Sequence, residues 1–226
     1  LLIPFSFYPW IWEGTMDGLL AAYLAISLLV FGRYIQFGQK LDLLSAFGCL
    51  FAALSIKNEG ALAFLAGAAA IFLVTLKSYG IKAITKRFSW KYLIGIFIGV
   101  FPFLLWAVYL RIWNVQNDLQ IGTIDSIKRI GVRILNGSIF QITQSFIENL
   151  GPALILFGVI YLYMKVNKIS FTKYSIAALY AAILYFFGMF TIYLLTPHDL
   201  TWHLDHSIFR TTLPINGLLY IVSFFN

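Results

Sequence analysis

The apolar run over residues 43–76 is interrupted by charge at one place, Lys57-Asn58-Glu59-Gly60. As a single helix the run would extend roughly 51 Å, against a hydrocarbon core of about 30 Å, so one straight membrane crossing is excluded. A Lys at the bilayer centre costs about 2.5–3.5 kcal/mol on insertion scales. Lys57 and Glu59 therefore belong at a membrane face or in a wet cavity, and the run reads as two helices meeting at a polar tip. Placing that tip sets the orientation of every other segment.

Hydrophobic residues make up 61% of the 226-residue chain and charged residues 11%. That balance describes an integral membrane protein rather than a soluble domain with one anchor, and residues 1–226 read as a single membrane domain. The lone Cys49 excludes an intrachain disulfide and a thiolate metal site. A net charge of +7 can attract nucleic acid, but the charge is distributed as membrane topology requires, and no nucleic-acid partner is expected. There is no internal repeat and no low-complexity segment. No basic leader precedes Leu1, so the chain reads as the central to C-terminal portion of a longer membrane domain.

In chain order, residues 1–14 mix Pro, Tyr and Trp as an interfacial segment does. Thr15 or Asp17 can cap a helix running to about Phe31. Spans are expected over residues 43–56, 60–76, 92–110 with a kink at Pro102, 150–164 and 174–195, and a last apolar stretch reaches Asn226. Residues 111–148 read as one long loop. Within it Ile124, Ile127, Ile130, Ile134 and Leu135 recur at helical spacing with Lys128, Arg129 and Arg133 between them, the pattern of an amphipathic interfacial helix. The expected fold class is all-α: a polytopic transmembrane helix bundle of about seven spans with one outer interfacial helix.

Segments 33–42, 77–91 and 165–173 carry two, five and three of the sixteen Lys and Arg residues, with Asp42 as their one acid. The positive-inside rule makes them cytoplasmic. The other eight acids and all three histidines then fall on the extracytoplasmic side of a multi-pass plasma (inner) membrane protein, and function is sought there.

Asp17, at the outer start of a helix, can be a general base, a metal ligand or an N-cap. Lys57 and Glu59 can hold a phosphate and orient a ligand, or form a polar turn whose charges pair among headgroups. Three histidines and two aspartates lie between His198 and His206, but their spacing matches no zinc signature; a metal site competes with hydrogen-bonding or interfacial histidines. Trp202 can stack on a sugar ring or anchor at the interface. Arg210, where the next apolar helix starts, can meet an anionic headgroup together with the helix N-terminus.

Glu13-Gly14 with Asp17-Gly18-Leu19-Leu20, then Lys57-Asn58-Glu59-Gly60, then Thr196-Pro197 with Trp202-His203-Leu204, Ser207 and Arg210 resembles, in order and in the intervening helices, bacterial GT-C-fold glycosyltransferases related to protein mannosyltransferases. The resemblance implies transfer of a sugar from a polyprenyl-phosphate carrier on the extracytoplasmic face, by inverting displacement at the anomeric carbon. It implies a catalytic role for Asp17 near the donor phosphate or an optional divalent metal ion, with the main catalytic base upstream of Leu1. Lys57 matches the lysine that contacts the carrier phosphate, and Glu59 stands beside it. His203 and Arg210 match the late outer motif, which implies donor or acceptor contact, and Trp202, Asp205 and His206 stand beside them as further substrate-binding candidates. Thr15-Met16 and Asp205-His206 depart from the family's usual residues, so the resemblance does not extend to which sugar or acceptor is used. Two other classes fit the same composition: a transporter or flippase of a lipid-linked saccharide, and a noncatalytic lipid-binding membrane subunit. A transporter calls for polar residues on the inner halves of the helices as well, and few occur.

Overall fold

The computed structural model describes residues 16–87, 90–115 and 124–225, the side chains of 82–93 and 124 excepted. The aromatic segment over residues 1–14, Glu13-Gly14 of the resemblance, Thr15 and Asp118 lie outside the described residues. Those described form eight helices: α1 Met16–Phe37, α2 Lys40–Ile56, α3 Asn58–Arg87, α4 Trp90–Ile112, α5 Ile124–Leu135, α6 Ser138–Val166, α7 Lys173–Leu195 and α8 Leu200–Phe224. The all-helical expectation holds. Five of them, α1, α3 over Asn58–Ile81, α4 over Ile94–Ile112, α6 and α7, are long and apolar enough to cross a membrane. Helix α2 has 17 residues, and the part of α8 beyond Arg210 rises only about 21 Å, so these two are not self-sufficient spans by length and composition.

Each helix buries the stripe its spacing dictates. In α1 this is Asp17, Leu20, Ala21, Leu24, Leu28 and Phe31, and in α2 Asp42, Ala46, Leu50 and Ala53. Helix α8 is buried on nearly all sides from Thr211 to Ser223, because α1, α6 and α7 surround it. Helix α3 packs on α7 through small residues, Ala63, Ala66 and Ala70 on one side and Ala177, Ala178 and Ala181 on the other. Such residues let two backbones approach closely where lipid offers no hydrophobic drive. Among the described residues helix α4 packs chiefly on α2, and none of its apolar window is buried.

Three expectations about boundaries are corrected. Residues 111–148 are not a loop to their end: α6 starts at Ser138, twelve residues before the apolar stretch, because Ile142, Phe146 and Leu150 continue its buried stripe while Gln141, Gln144 and Glu148 occupy the other side. The basic segment after Leu76 is helical to Arg87, broken only at Gly80, whose φ of 72° and ψ of 162° suit glycine alone. Asp17 lies inside the first turn of α1 and is not its cap.

The bundle has two chemically different ends. At one, Arg33 stands 3.8 Å from Asp42 and Lys173 lies over the Tyr79 ring at 5.8 Å. The other end gathers the start of α1, the α2–α3 tip, α5 and the α7–α8 turn.

Candidate functional site

Helix α2 stops at Lys57, whose backbone is extended (φ −165°, ψ 173°), and α3 begins with the next residue. So abrupt a reversal presses the first turn of α3 on the last turn of α2. A Cβ at position 60 would overlap the Ala53 carbonyl oxygen, so glycine is required there. The Gly60 amide donates to the Lys57 carbonyl at 2.8 Å and closes the turn. Glu59 is then held in the first turn of α3, where the positive end of the helix dipole favours a carboxylate.

The Lys57 ammonium donates to Oδ1 of Asp17, forty residues earlier, and stands 3.3 Å from Oε1 of Glu59. Side-chain exposure is 7% for Asp17, 22% for Lys57 and 28% for Glu59, so the pair closes inward and the group opens outward at Glu59. A carboxylate as buried as Asp17 needs such a partner, since removing one member of a buried pair leaves an uncompensated charge. Two carboxylates on one ammonium leave the trio with a net charge of −1. Lys57 is thus not a free cation in this state: its charge is more than spent within the protein.

Opposite the trio stand α7 and α8. Glu59 acts electrostatically on Tyr185, Tyr193 and His203, and Asp17 on Tyr185, which places the tip beside them. The Tyr193 hydroxyl forms 2.8 Å hydrogen bonds with both Ser207 Oγ and Thr211 Oγ1, tying the end of α7 to α8. The His203 ring lies 5.0 Å from the Tyr193 ring and 5.7 Å from that of His198, and its Nδ1 is buried without a hydrogen-bond partner. Burial, then the nearby charges of His198 and Arg133, push the His203 imidazole below its ordinary value, with Glu59 pulling weakly the other way. His203 is therefore neutral at neutral pH. Arg210 acts on both Tyr193 and His203 and so belongs to the same cluster.

The late motif divides by helix face. His203, Ser207 and Arg210 turn toward the bundle, whereas Trp202, Asp205 and His206 are exposed on the other side. There Trp202 stacks on His206 at 4.8 Å, and the ring nitrogen Nδ1 of His206 lies 2.8 Å from the Trp202 carbonyl. Asp199 caps α8 by accepting from the Trp202 amide at 2.9 Å. Asp17, Lys57 and Glu59 are brought into contact, Glu59 and Arg210 each lie within electrostatic reach of His203, and Trp202, Asp205 and His206 form a separate outer face.

Sequence reasoning missed Tyr185 and Tyr193. Their signal was two tyrosines eight residues apart on one face of an otherwise apolar helix, with Ser207 and Thr211 four apart opposite. It also sent the α5 arginines to lipid. Arg129 Nε donates to the Leu195 carbonyl at 3.1 Å, and Arg133 donates from Nη1 to the Tyr193 carbonyl and from Nη2 to that of His198 at 2.9 Å. The last carbonyls of any helix lack intrahelical donors, and these two guanidiniums supply them to α7.

Among the described residues no three His, Cys, Asp or Glu side chains converge to hold a metal ion. Asp17 and Glu59 already share an ammonium and have no third donor beside them, so the described groups do not fit an optional divalent ion, and no step is derived through one. Between α6, α7 and α8 runs an apolar groove of about 310 Å³ lined by Phe146, Leu150, Leu154, Leu179, Phe186 and Leu219, among others. Its Phe146 ring lies 5.9 Å from that of Tyr193. No family model, curated protein or solved structure matches this chain.

Proposed function

We propose that this chain is a membrane glycosyltransferase that moves a sugar from a polyprenyl-phosphate carrier to an acceptor on the extracytoplasmic face. The observation that carries the reading is the buried Asp17–Lys57–Glu59 trio, whose Glu59 lies within electrostatic reach of His203 on the late motif. In a seven-span arrangement α2 and α8 cross with the five longer helices, the three basic segments face the cytoplasm, and α5 lies on the outer surface with Ile127, Val132 and Leu135 toward the headgroups.

In this reading the acidic trio and the neutral His203 surround the sugar, and the groove beside Phe146 takes hydrocarbon of the carrier. An acceptor hydroxyl oxygen bonds to the anomeric carbon as the bond to the phosphate oxygen breaks; a carboxylate base takes the hydroxyl proton, and the phosphate leaves with an added negative charge. Cations near it lower the barrier, each charge-assisted contact contributing about 1.5–3 kcal/mol, or roughly ten- to a hundredfold in rate. Lys57, matched by the resemblance to a phosphate contact, would have to loosen its hold on Glu59 to serve. Glu59, the most exposed carboxylate of the trio, is placed to orient a hydroxyl of sugar or acceptor.

The test is transfer of radiolabel from polyprenyl-phosphate mannose, glucose and galactose in membranes containing the full chain. Label from one of them should leave the lipid phase, Asp17→Asn should slow its release at least tenfold, and Asp42→Asn at the other end should not. Label that changes leaflet but stays on its carrier would make the protein a transporter instead. In a Cys49→Ser background, cysteines at Ser78 and Lys168 should resist an impermeant thiol reagent in intact cells and one at Thr201 should react; the reverse pattern inverts the topology.

A further inference from the structure

Helix α5 brings two guanidiniums to the end of α7, and the groups they meet there are neutral. Arg129 and Arg133 bond only to the carbonyls of Tyr193, Leu195 and His198, and among the described residues neither has a carboxylate within ion-pair distance. The one acid whose field reaches Arg133 is Asp199, which is occupied in capping α8. Two positive charges one helical turn apart thus sit half-buried with no carboxylate in contact among the described residues, offset in part by the field of Asp199, each raising the cost of the other. A guanidinium has five N–H donors, and those of Arg129 are not all used: its Nη2 is buried without a partner. The Nδ1 of His203, within the electrostatic reach of Arg133, is buried and unpartnered as well.

Cation excess, unspent donors in a fixed fork and a shielded setting are what an oxyanion requires. We propose that Arg129 and Arg133, with His203 beside them, form a binding site for the phosphate of a phosphate ester. This rests on the reading of the chain as a lipid-phosphate-dependent transferase and moves the main phosphate contact from Lys57, which two carboxylates outweigh, to α5. Two features favour an ester carried on lipid over a free one. Ile127, Val132 and Leu135 are exposed on the same short helix, and the apolar groove is lined by Phe146, whose ring lies against that of Tyr193, the residue whose carbonyl Arg133 holds. The carbonyl bonds keep the fork in place before any ligand arrives, which limits the ordering cost of binding.

The experiment uses the full chain in a nonionic detergent, titrated calorimetrically with farnesyl phosphate, farnesol and inorganic phosphate. Farnesyl phosphate should bind with an affinity that falls as salt rises, farnesol should not bind, and Arg129→Gln should weaken farnesyl phosphate at least tenfold. Glutamine can still donate to the Leu195 carbonyl, so that variant keeps the helix docked. Inorganic phosphate binding as tightly as farnesyl phosphate would support the anion site and assign it to a free ion. In the unmodified protein, farnesyl phosphate should protect Arg129 and Arg133, but not Arg33, from phenylglyoxal as read by mass spectrometry. Unchanged affinity in Arg129→Gln, or no protection of either arginine, overturns the proposal. Arginine-dependent binding without any sugar release would keep this site and remove the transferase, whereas sugar release with Arg129→Gln binding normally would do the opposite.

Discussion

The two ends of the bundle use charge differently. At the basic end, Arg33 is 62% exposed and 3.8 Å from Asp42, and Lys173 rests over a tyrosine ring. Such contacts tolerate exchange, because what positions this end is the number of cations rather than their partners. At the opposite end Lys57 is fixed between Asp17 and Glu59, Tyr193 is bonded to two hydroxyls, and two arginines complete the carbonyl end of α7. The cation at Arg33 remains largely solvated, whereas the charge buried at Asp17 is held by a direct partner. The matched end is where a small change in a ligand can be felt.

The largest expected effect follows from the most buried pair. Lys57→Gln leaves Asp17 without its ammonium at 7% exposure and should cost about 3–5 kcal/mol, measured by denaturation with SDS in mixed micelles. Adding Asp17→Asn should recover much of that loss, because it removes the charge that was left behind. A Lys57→Gln protein as stable as the unmodified one would make the tip an ordinary polar turn and erase the difference between the ends.

A smaller effect is expected from pH. The His203 imidazole is held below its ordinary value of about 6.5 by burial and by the cations around it. Between that ordinary value and the lower folded one, the unfolded chain binds a proton that the folded chain does not. Stability should therefore fall as pH drops through this window and be flat with respect to His203 above it. His203→Gln should reduce the slope, and the ring should titrate below 6.5 by NMR. A titration at or above 6.5 would mean that the site is wetter and less cationic than the geometry requires.

Much of this was legible in the sequence, and the remainder was hidden for physical reasons. Periodicity and the cost of charge in lipid located the tip at Lys57 and the helical α5, but put the start of the last helix at Arg210, which lies well inside α8 and not at its N-terminus. They could not pair Lys57 with Asp17, since forty residues of helix separate the two and only tertiary packing brings them together. The arginines of α5 lie between isoleucines, a pattern equally suited to a lipid surface and to the carbonyl end of a neighbouring helix; spacing records the face but not what it meets. Gln141, Gln144 and Glu148 made the first three turns of α6 look like loop, because a helix with one wet side loses the uniform apolarity of a span. The late motif was located correctly as a segment, yet its division into an inward His203 and Arg210 and an outward Trp202, Asp205 and His206 depended on the rotation of α8, which only packing sets.

The smallest effect should come from Arg33, and it tests the comparison from its weaker side. Asp42 is nearly as buried as Asp17, so removing its nearby cation might be thought equally costly. The difference lies in the partner. Both carboxylates sit in the first turn of a helix, but Arg33 contributes only at 3.8 Å from a largely solvated position, whereas Lys57 is mostly buried and hydrogen-bonded to Asp17. Solvent screens such a contact, and exposed pairs contribute up to about 1 kcal/mol. Arg33→Gln should therefore shift SDS denaturation by less than about 1 kcal/mol, and Arg33→Lys should be neutral. High salt should shrink the effect of Arg33→Gln further, while leaving that of Lys57→Gln nearly intact, because screening reaches the exposed guanidinium and not the buried pair. If Arg33→Gln proves as damaging as Lys57→Gln and equally insensitive to salt, both ends are matched networks, and burial at Asp17 no longer singles out the site.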